Sequence, residues 1–202
     1  MPPSDLAKEA FRQHYGSGAD PEVLFVPGRV NLIGEHIDYH NLPVLPMAIS
    51  RGIGVAFRAR PDSRVRAVSA NAGGACEFDW TPKLRPGLPG DWCNYVRAAA
   101  QAAAGKWGAL RGIDAAVTSD LPPAAGLSSS SALLTGMTLA FLRANAVNAS
   151  FEELMDVLPE GEYFVGTRGG GMDHAAVLAG RPGCALLVEF APVVVTPVEV
   201  PP

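Results

Sequence analysis

The chain has little of what marks several large functional classes. Its 202 residues include three cysteines, Cys76, Cys93 and Cys184. The number is odd and no two form C-x-x-C, so neither a disulfide framework nor a zinc ribbon is indicated. Reduced, mostly buried thiols in a cytoplasmic protein are expected instead. Lysine occurs only at Lys8, Lys83 and Lys106, and the densest basic stretch is Arg64-Val65-Arg66. With 16 basic against 20 acidic side chains and a net charge of −4, the composition argues against an extended nucleic-acid footprint. Local phosphate binding stays open, because one loop and one Arg can supply it. No uninterrupted apolar run reaches membrane-spanning length, and the opening MPPSDLAKEAFRQHYG holds no signal-peptide stretch, so no membrane role is expected. No Walker Gly-Lys-Ser/Thr and no G-x-G-x-x-G occurs, which removes the two commonest nucleotide-loop signatures.

What is present is a globular composition, with 48% hydrophobic and 18% charged residues. A chain of this length buries a core without disulfide support. Glycine (22) and proline (18) are plentiful and point to many turns and special backbone positions. Residues 4–15 read as a helix that Ser4 or Asp5 can cap and Gly16 can end. Strands are expected at 22–26, 44–49, 52–60, 64–70 and 75–80, where Val, Ile, Phe and Ala alternate with turn residues. An Ala-rich helix over 91–107, capped by Asp91, is followed by a strand at 113–119. A helix at about 128–145 is apolar on nearly every side and should be buried. Helices at about 151–164 and 172–179 precede a hairpin of strands 184–190 and 193–199, turned at Ala191-Pro192. The order of elements gives the fold class α+β, with a mixed or antiparallel sheet covered by helices.

Three segments carry chemistry. The first, Pro27-Gly28-Arg29-Val30-Asn31-Leu32-Ile33-Gly34-Glu35-His36-Ile37-Asp38-Tyr39, reads as a loop between strands that mixes apolar anchors with ionisable groups. Glu35, His36 and Asp38 suit the hydroxyls of a sugar, and Arg29 suits a phosphate or developing anion. A surface loop with an internal Arg–Glu pair explains the same composition. The second segment runs from Leu121 to Ala132, with Ser128, Ser129, Ser130 and Ser131 at the start of the buried helix. Small residues let a ligand approach the backbone, and a helix N-terminus attracts an anion. One serine would read as a simple cap, but four after a glycine favour a phosphate loop. In the third segment, Gly169-Gly170-Gly171-Met172-Asp173, a carboxylate follows an approachable turn. It can be a general base or merely the cap of the next helix.

Taken in order, GRVNLIGEHIDY resembles the galactokinase signature, and PPAAGLSSSSA resembles the phosphate loop of the GHMP kinases. GTRGGGMD resembles the segment that carries the catalytic aspartate in that family, and DWCNYV resembles the start of a family helix. The resemblance runs from about residue 5 to 202. It implies a GHMP-kinase N-terminal, galactokinase-like domain over 1–202 and ATP-dependent transfer of phosphate to the 1-hydroxyl of galactose. Under it, Asp173 is the base and Arg29 the charge-stabilising residue. Glu35, His36, Asp38 and Gly170 hold the sugar together with Asp173. Ala124, Ala125, Gly126, Leu127, Ser128, Ser129 and Ser130 wrap the ATP phosphates, and Ser130 and Glu162 hold Mg²⁺. The partners implied are a galactose-type sugar and ATP, with neither nucleic acid nor membrane.

Four departures accompany the resemblance. Family members run to roughly twice this length, so the family's C-terminal half is expected to be missing and the chain alone to be a poor kinase. The metal-binding Glu of ordinary galactokinases aligns with Gly161, whereas Glu162 sits in the register of the N-acetylgalactosamine-kinase branch; one residue turns a helical side chain by about 100°. His174 stands where the family has Gln, and Pro43 where a Gly is typical. The Gly-Gly-Gly-Met-Asp form also leans to the N-acetylgalactosamine kinases. That substrate, and a non-catalytic sugar and nucleotide sensor on the same fold, are the alternatives to galactose phosphorylation.

Overall fold

A computed structural model describes residues 1–16, 18–122, 125–166 and 169–201. Its elements are, in chain order, α1 (Pro3–Tyr15), β1 (Glu22–Ile33), β2 (Leu45–Ala59), β3 (Arg64–Ser69), β4 (Ala75–Asp79), α2 (Cys93–Trp107), β5 (Ile113–Ser119), α3 (Ser129–Ala144), α4 (Phe151–Phe164), α5 (Met172–Ala179), β6 (Cys184–Glu189) and β7 (Val194–Glu199). Five strands form one sheet in the order β1-β2-β5-β3-β4, antiparallel except for the parallel pair β3–β5. The α+β class with a mixed, helix-covered sheet is what the structure shows.

The period of two along the strands separates the faces. On β2, Val55 and Phe57 point to the main core while Ala56 between them faces α1. On β5, Ile113, Ala115 and Val117 face the main core and Ala116 meets Ala7 and Phe11 of α1. Small alanines on the α1 side let that helix lie close. Helices α2, α3 and α4 cover the other face, and α3 is buried along most of its length, through Ala132, Leu134, Met137, Ala140 and Phe141. A second, smaller core of Val44, Met155, Met172, Leu186 and Val188 ties α5 to the β6–β7 hairpin.

Several boundaries differ from the sequence reading, and each difference has a tertiary cause. β1 does not stop at residue 26 but continues through Pro27 and Gly28 to Ile33, so the first half of the first chemical segment is strand. It is held by pairing with β2 from Glu22–Phe57 to Ile33–Leu45. The strands expected at 44–49 and 52–60 are one, because the Ser50-Arg51 break is a bulge. Between the pairs Pro27–Gly52 and Arg29–Ala48, β2 uses more residues than β1. Neither Ser4 nor Asp5 caps α1; Pro2 occupies that position with no side-chain cap bond. The α2 helix begins at Cys93 after Trp92, and Asp91 helps by accepting the Cys93 N–H at 2.9 Å.

Candidate active site

Three elements converge at the carboxyl end of β1. The loop before α3 is pinned there by backbone contact, since the Arg29 N–H donates to Leu127 O at 3.3 Å. Gly28 makes this approach possible, because a Cβ on it would stand 2.6 Å from Leu121 Cδ2 and 3.0 Å from Leu127 O. Arg29 then reaches across to α5. Its Nε donates to Asp173 Oδ1 at 2.6 Å, its Nη2 lies 2.5 Å from the same oxygen, and its Nη1 donates to Gly126 O at 2.6 Å. With Oδ1 taken by the guanidinium, Oδ2 faces hydroxyls: Ser128 donates to it in a short hydrogen bond, and Ser131 Oγ lies 3.4 Å away. The Asp173 side chain remains 22% exposed, so it is not sealed off by these partners. Asp173 is no cap, since Gly171 holds that position on α5.

Ser128 adopts a left-handed conformation (φ 52°) and turns its hydroxyl to Asp173 rather than to the helix. Among the described residues α3 has no side-chain cap bond at the positive end of this long buried helix. Ala125, Gly126 and Ser129 are exposed beside it, and Leu127 and Ser130 are half-buried. Ala124 lies outside the described residues. Burial makes the Tyr95 hydroxyl on α2 a weaker acid, and the nearby Glu162 charge adds to the effect.

On the other side of Asp173 is a cleft of about 140 Å³ lined by Arg29, Glu35, His36, Asp38, Tyr39, Gly169, Gly170, Met172 and Asp173. The residues singled out for a sugar therefore share one hollow with the two reactive candidates. They are not equivalent in it. Asp38 is buried at the base and accepts the Met172 N–H at 3.3 Å. Glu35 and His36 are exposed at the rim, with Glu35 accepting from Asn31 Nδ2 at 2.8 Å. Gly170 has no room for a side chain: a Cβ there would fall 1.9 Å from Asp38 Oδ2. Four other hollows are larger, the largest about 710 Å³ beside β2 and residues 177–184, but they contain none of these residues.

Glu162 is buried in the last turns of α4. Ser131 Oγ donates to its Oε1 at 2.6 Å and His174 Nε2 lies 3.4 Å from that oxygen. Burial pushes this carboxyl upward, but the His174 ring, the Ser131 hydroxyl and the Arg29 charge outweigh it and hold the group below its ordinary range. A side chain on Gly161 would press on Leu134 of α3 at 3.0 Å, whereas position 162 faces the site. Ser131 and His174 are the residues that the sequence reading did not place. Ser131 closes the serine run, and nothing in the sequence shows that it reaches two carboxylates.

No cluster of three His, Cys, Asp or Glu side chains forms a metal cage among the described residues. The donors near the start of α3 are one buried carboxylate and hydroxyls. That hard-oxygen set fits a Mg²⁺ carried on phosphates, which needs only one or two protein carboxylates.

The chain matches the model described as "GHMP kinases N terminal domain" over residues 94–181 and that of the "Galactokinase galactose-binding signature" over 9–59. It is 38% identical to a galactokinase of Chloroflexus aurantiacus over 193 residues, covering 95% of this chain and 49% of that one. A galactokinase of Actinobacillus pleuropneumoniae is 34% identical over 203 residues, covering all of this chain and 52% of the relative. The structure of Lactococcus lactis galactokinase complexed with galactose superposes with a TM-score of 0.88 at 29% identity, over 96% of this chain and 51% of that one. A Methanococcus jannaschii mevalonate kinase, at 15% identity and a TM-score of 0.74 over 92% of this chain and 57% of its own, shares the fold. The architecture, with the serine-rich turn opening its buried helix, is that of a GHMP kinase N-terminal domain. Within that class the chain belongs to the galactokinase family. It spans about half the length of the curated relatives it matches.

Proposed function

We propose that this chain supplies the N-terminal half of an ATP-dependent sugar kinase that converts galactose to galactose 1-phosphate. The observation that carries the reading is the position of the Arg29–Asp173 pair, with the polar cleft on one side and the start of α3 on the other. On this reading Asp38, Glu35, His36 and the Gly170 backbone hold the sugar hydroxyls beside Asp173. The backbone of 124–130 receives the ATP phosphates. Asp173 takes the proton of the anomeric hydroxyl as its oxygen attacks the γ-phosphorus and the bond to the ADP oxygen breaks. Arg29, already on the same carboxylate, offsets the negative charge that builds up during transfer. When bound, Mg²⁺ would draw charge from the β- and γ-phosphate oxygens, and Ser130 and Glu162 would hold it. Free thiols at Cys76, Cys93 and Cys184 suit a reducing compartment, and we place the protein in the cytoplasm.

A second reading, phosphorylation of N-acetylgalactosamine, is favoured by Glu162 facing the site where Gly161 cannot, and by the Gly169-Gly170-Gly171 turn. In either case the remaining wall of the cleft belongs to a segment matching the other half of the longer relatives. The test is an ATP-dependent assay with both sugars, following sugar 1-phosphate by ³¹P NMR. The 202-residue chain alone is expected to turn over at or near background, because a one-sided cleft forfeits placement worth roughly 10⁵–10⁸ M in effective molarity. A fusion to the second half of the Chloroflexus aurantiacus relative is expected to phosphorylate one of the sugars. A fusion that binds sugar and ATP without transfer would replace the kinase with a sensor.

A further inference from the structure

The least explained group near the site is His174. Its side chain is fully buried, in a fold where that position follows the candidate base directly. Nδ1 lies 3.3 Å from Thr135 Oγ1 of α3, and Nε2 lies 3.4 Å from Glu162 Oε1 of α4 without forming a regular hydrogen bond. The imidazole thus spans from the core helix to the buried Glu162 carboxylate of α4, adding to the hold of its other partners. Glu162 stands in the last turn of a helix that contains Pro159, so α4 lacks one of its ladder bonds just before it. The carboxylate also sits in a crowded space, since a Cβ at Gly169 would come 2.0 Å from Glu162 Oε2.

We propose that His174 is a positioning residue which, together with Ser131, fixes the Glu162 carboxylate in the orientation that a phosphate-borne divalent cation requires. Ser131 grips Oε1 from α3, His174 crowds the same oxygen from α5, and Thr135 sets the ring. Oε2, on the Gly169 side, faces the turn beside the cleft. A first ligand held from behind by packed neighbours loses metal affinity when they are removed, typically ~10–100-fold. The proposal rests on the kinase reading given above, and its test separates the two.

Mn²⁺ is the probe, with ADP present, and its Kd is measured by electron paramagnetic resonance on the full 202-residue chain. His174→Leu is expected to weaken Mn²⁺ binding by about tenfold or more. His174→Gln, which keeps a polar group at the same depth, should stay within about threefold of wild type, and Thr135→Val should fall between them. Thermal unfolding supplies a readout without metal. His174→Leu should lower Tm by several degrees in the wild-type chain and by clearly less in a Glu162→Gln chain, because contacting residues are not additive. His174→Leu binding Mn²⁺·ADP like wild type, or His174→Gln failing as badly as His174→Leu, overturns the proposal while leaving the kinase reading intact. If Glu162→Gln itself leaves Mn²⁺·ADP binding unchanged, the metal role of Glu162 fails and this proposal falls with it. Should His174→Leu not fold, Thr135→Val and His174→Gln decide the matter alone.

Discussion

Among the aspartates that arginine holds, Asp114 and Asp173 are held differently. Asp114 on β5 receives Arg66 Nε at 2.7 Å and Arg60 Nη1 at 2.9 Å on one oxygen, with Arg58 Nη2 3.7 Å from the other. Its side chain is 4% exposed, and the arginines are in turn braced: Arg58 lies over the Phe11 ring and Arg66 over the Tyr15 ring. Asp173 has one arginine on Oδ1, hydroxyls on Oδ2, and a face open to the cleft. A carboxylate surrounded by fixed cations has no capacity left for an incoming proton or ligand. One whose second oxygen faces rotatable hydroxyls can exchange those partners for a substrate hydroxyl. The first arrangement ties the central strand of the sheet to both its neighbours, and the second suits proton transfer.

The contrast can be broken at either end. The largest effect is expected from Asp173→Asn in a fusion completed with a second half. There kcat should fall by about 10²–10⁴-fold, as when a positioned acid–base group is lost, with sugar binding changed far less. Turnover near wild type in a steady-state assay would remove Asp173 from the chemistry. Asp114→Asn should leave turnover of the folded fusion intact but cost about 2–3 kcal/mol in urea unfolding, near the low end for a broken buried pair because the arginines reach water. Equal stability would mean that the cluster is ornamental. Ser130→Ala is milder: loss of one hydroxyl contact should raise the Kd for Mg·ATP about tenfold, roughly 1.4 kcal/mol, by calorimetry. An unaltered Kd would leave the metal contact to other groups.

The smallest effect is a pH difference. Burial works to raise the Asp114 carboxyl, but Arg66 and Arg60 override it and hold it below its ordinary range. The folded state therefore binds a proton less readily than the unfolded chain, whose Asp titrates near ~3.9. This contribution is fully present above about pH 4 and is lost as pH falls through the lower folded value. Wild type and Asp114→Asn should consequently converge in stability on the acid side. Parallel curves from pH 6 down to the acid transition would show that the pair carries no linkage.

Much of this was legible in the sequence because local rules decide it. The strand over 113–119, the helix over 151–164 and the buried helix carrying the serines follow from composition and period alone. The serine run, Arg29 and Asp173 were drawn together by the resemblance of three ordered motifs, and the structure brings them into contact. What was not legible depends on partners distant in the chain. Pro27-Gly28 looks like a strand end until β2 pairs across it, and the bulge at Ser50-Arg51 looks like a turn. Ser131 reads as one more serine of the phosphate run, and its bond to Glu162 spans 31 positions. Likewise Arg58, Arg60 and Arg66 read as a mildly basic strand pair until β5 slides Asp114 between them.

The three consecutive glycines 169–171 each make room for something different. Gly169 leaves space for Glu162, Gly170 for Asp38, and Gly171 for Met155 and Phe190. Neighbouring positions in the chain thus answer to three separate neighbours: the buried α4 carboxylate, the carboxylate at the base of the cleft, and apolar side chains. A random single-base lesion anywhere in this short stretch is filtered by a different criterion at each codon. No compensating change at one of the three can rescue another. In a mutational survey the stretch should resemble three independent alarms wired side by side rather than one flexible hinge.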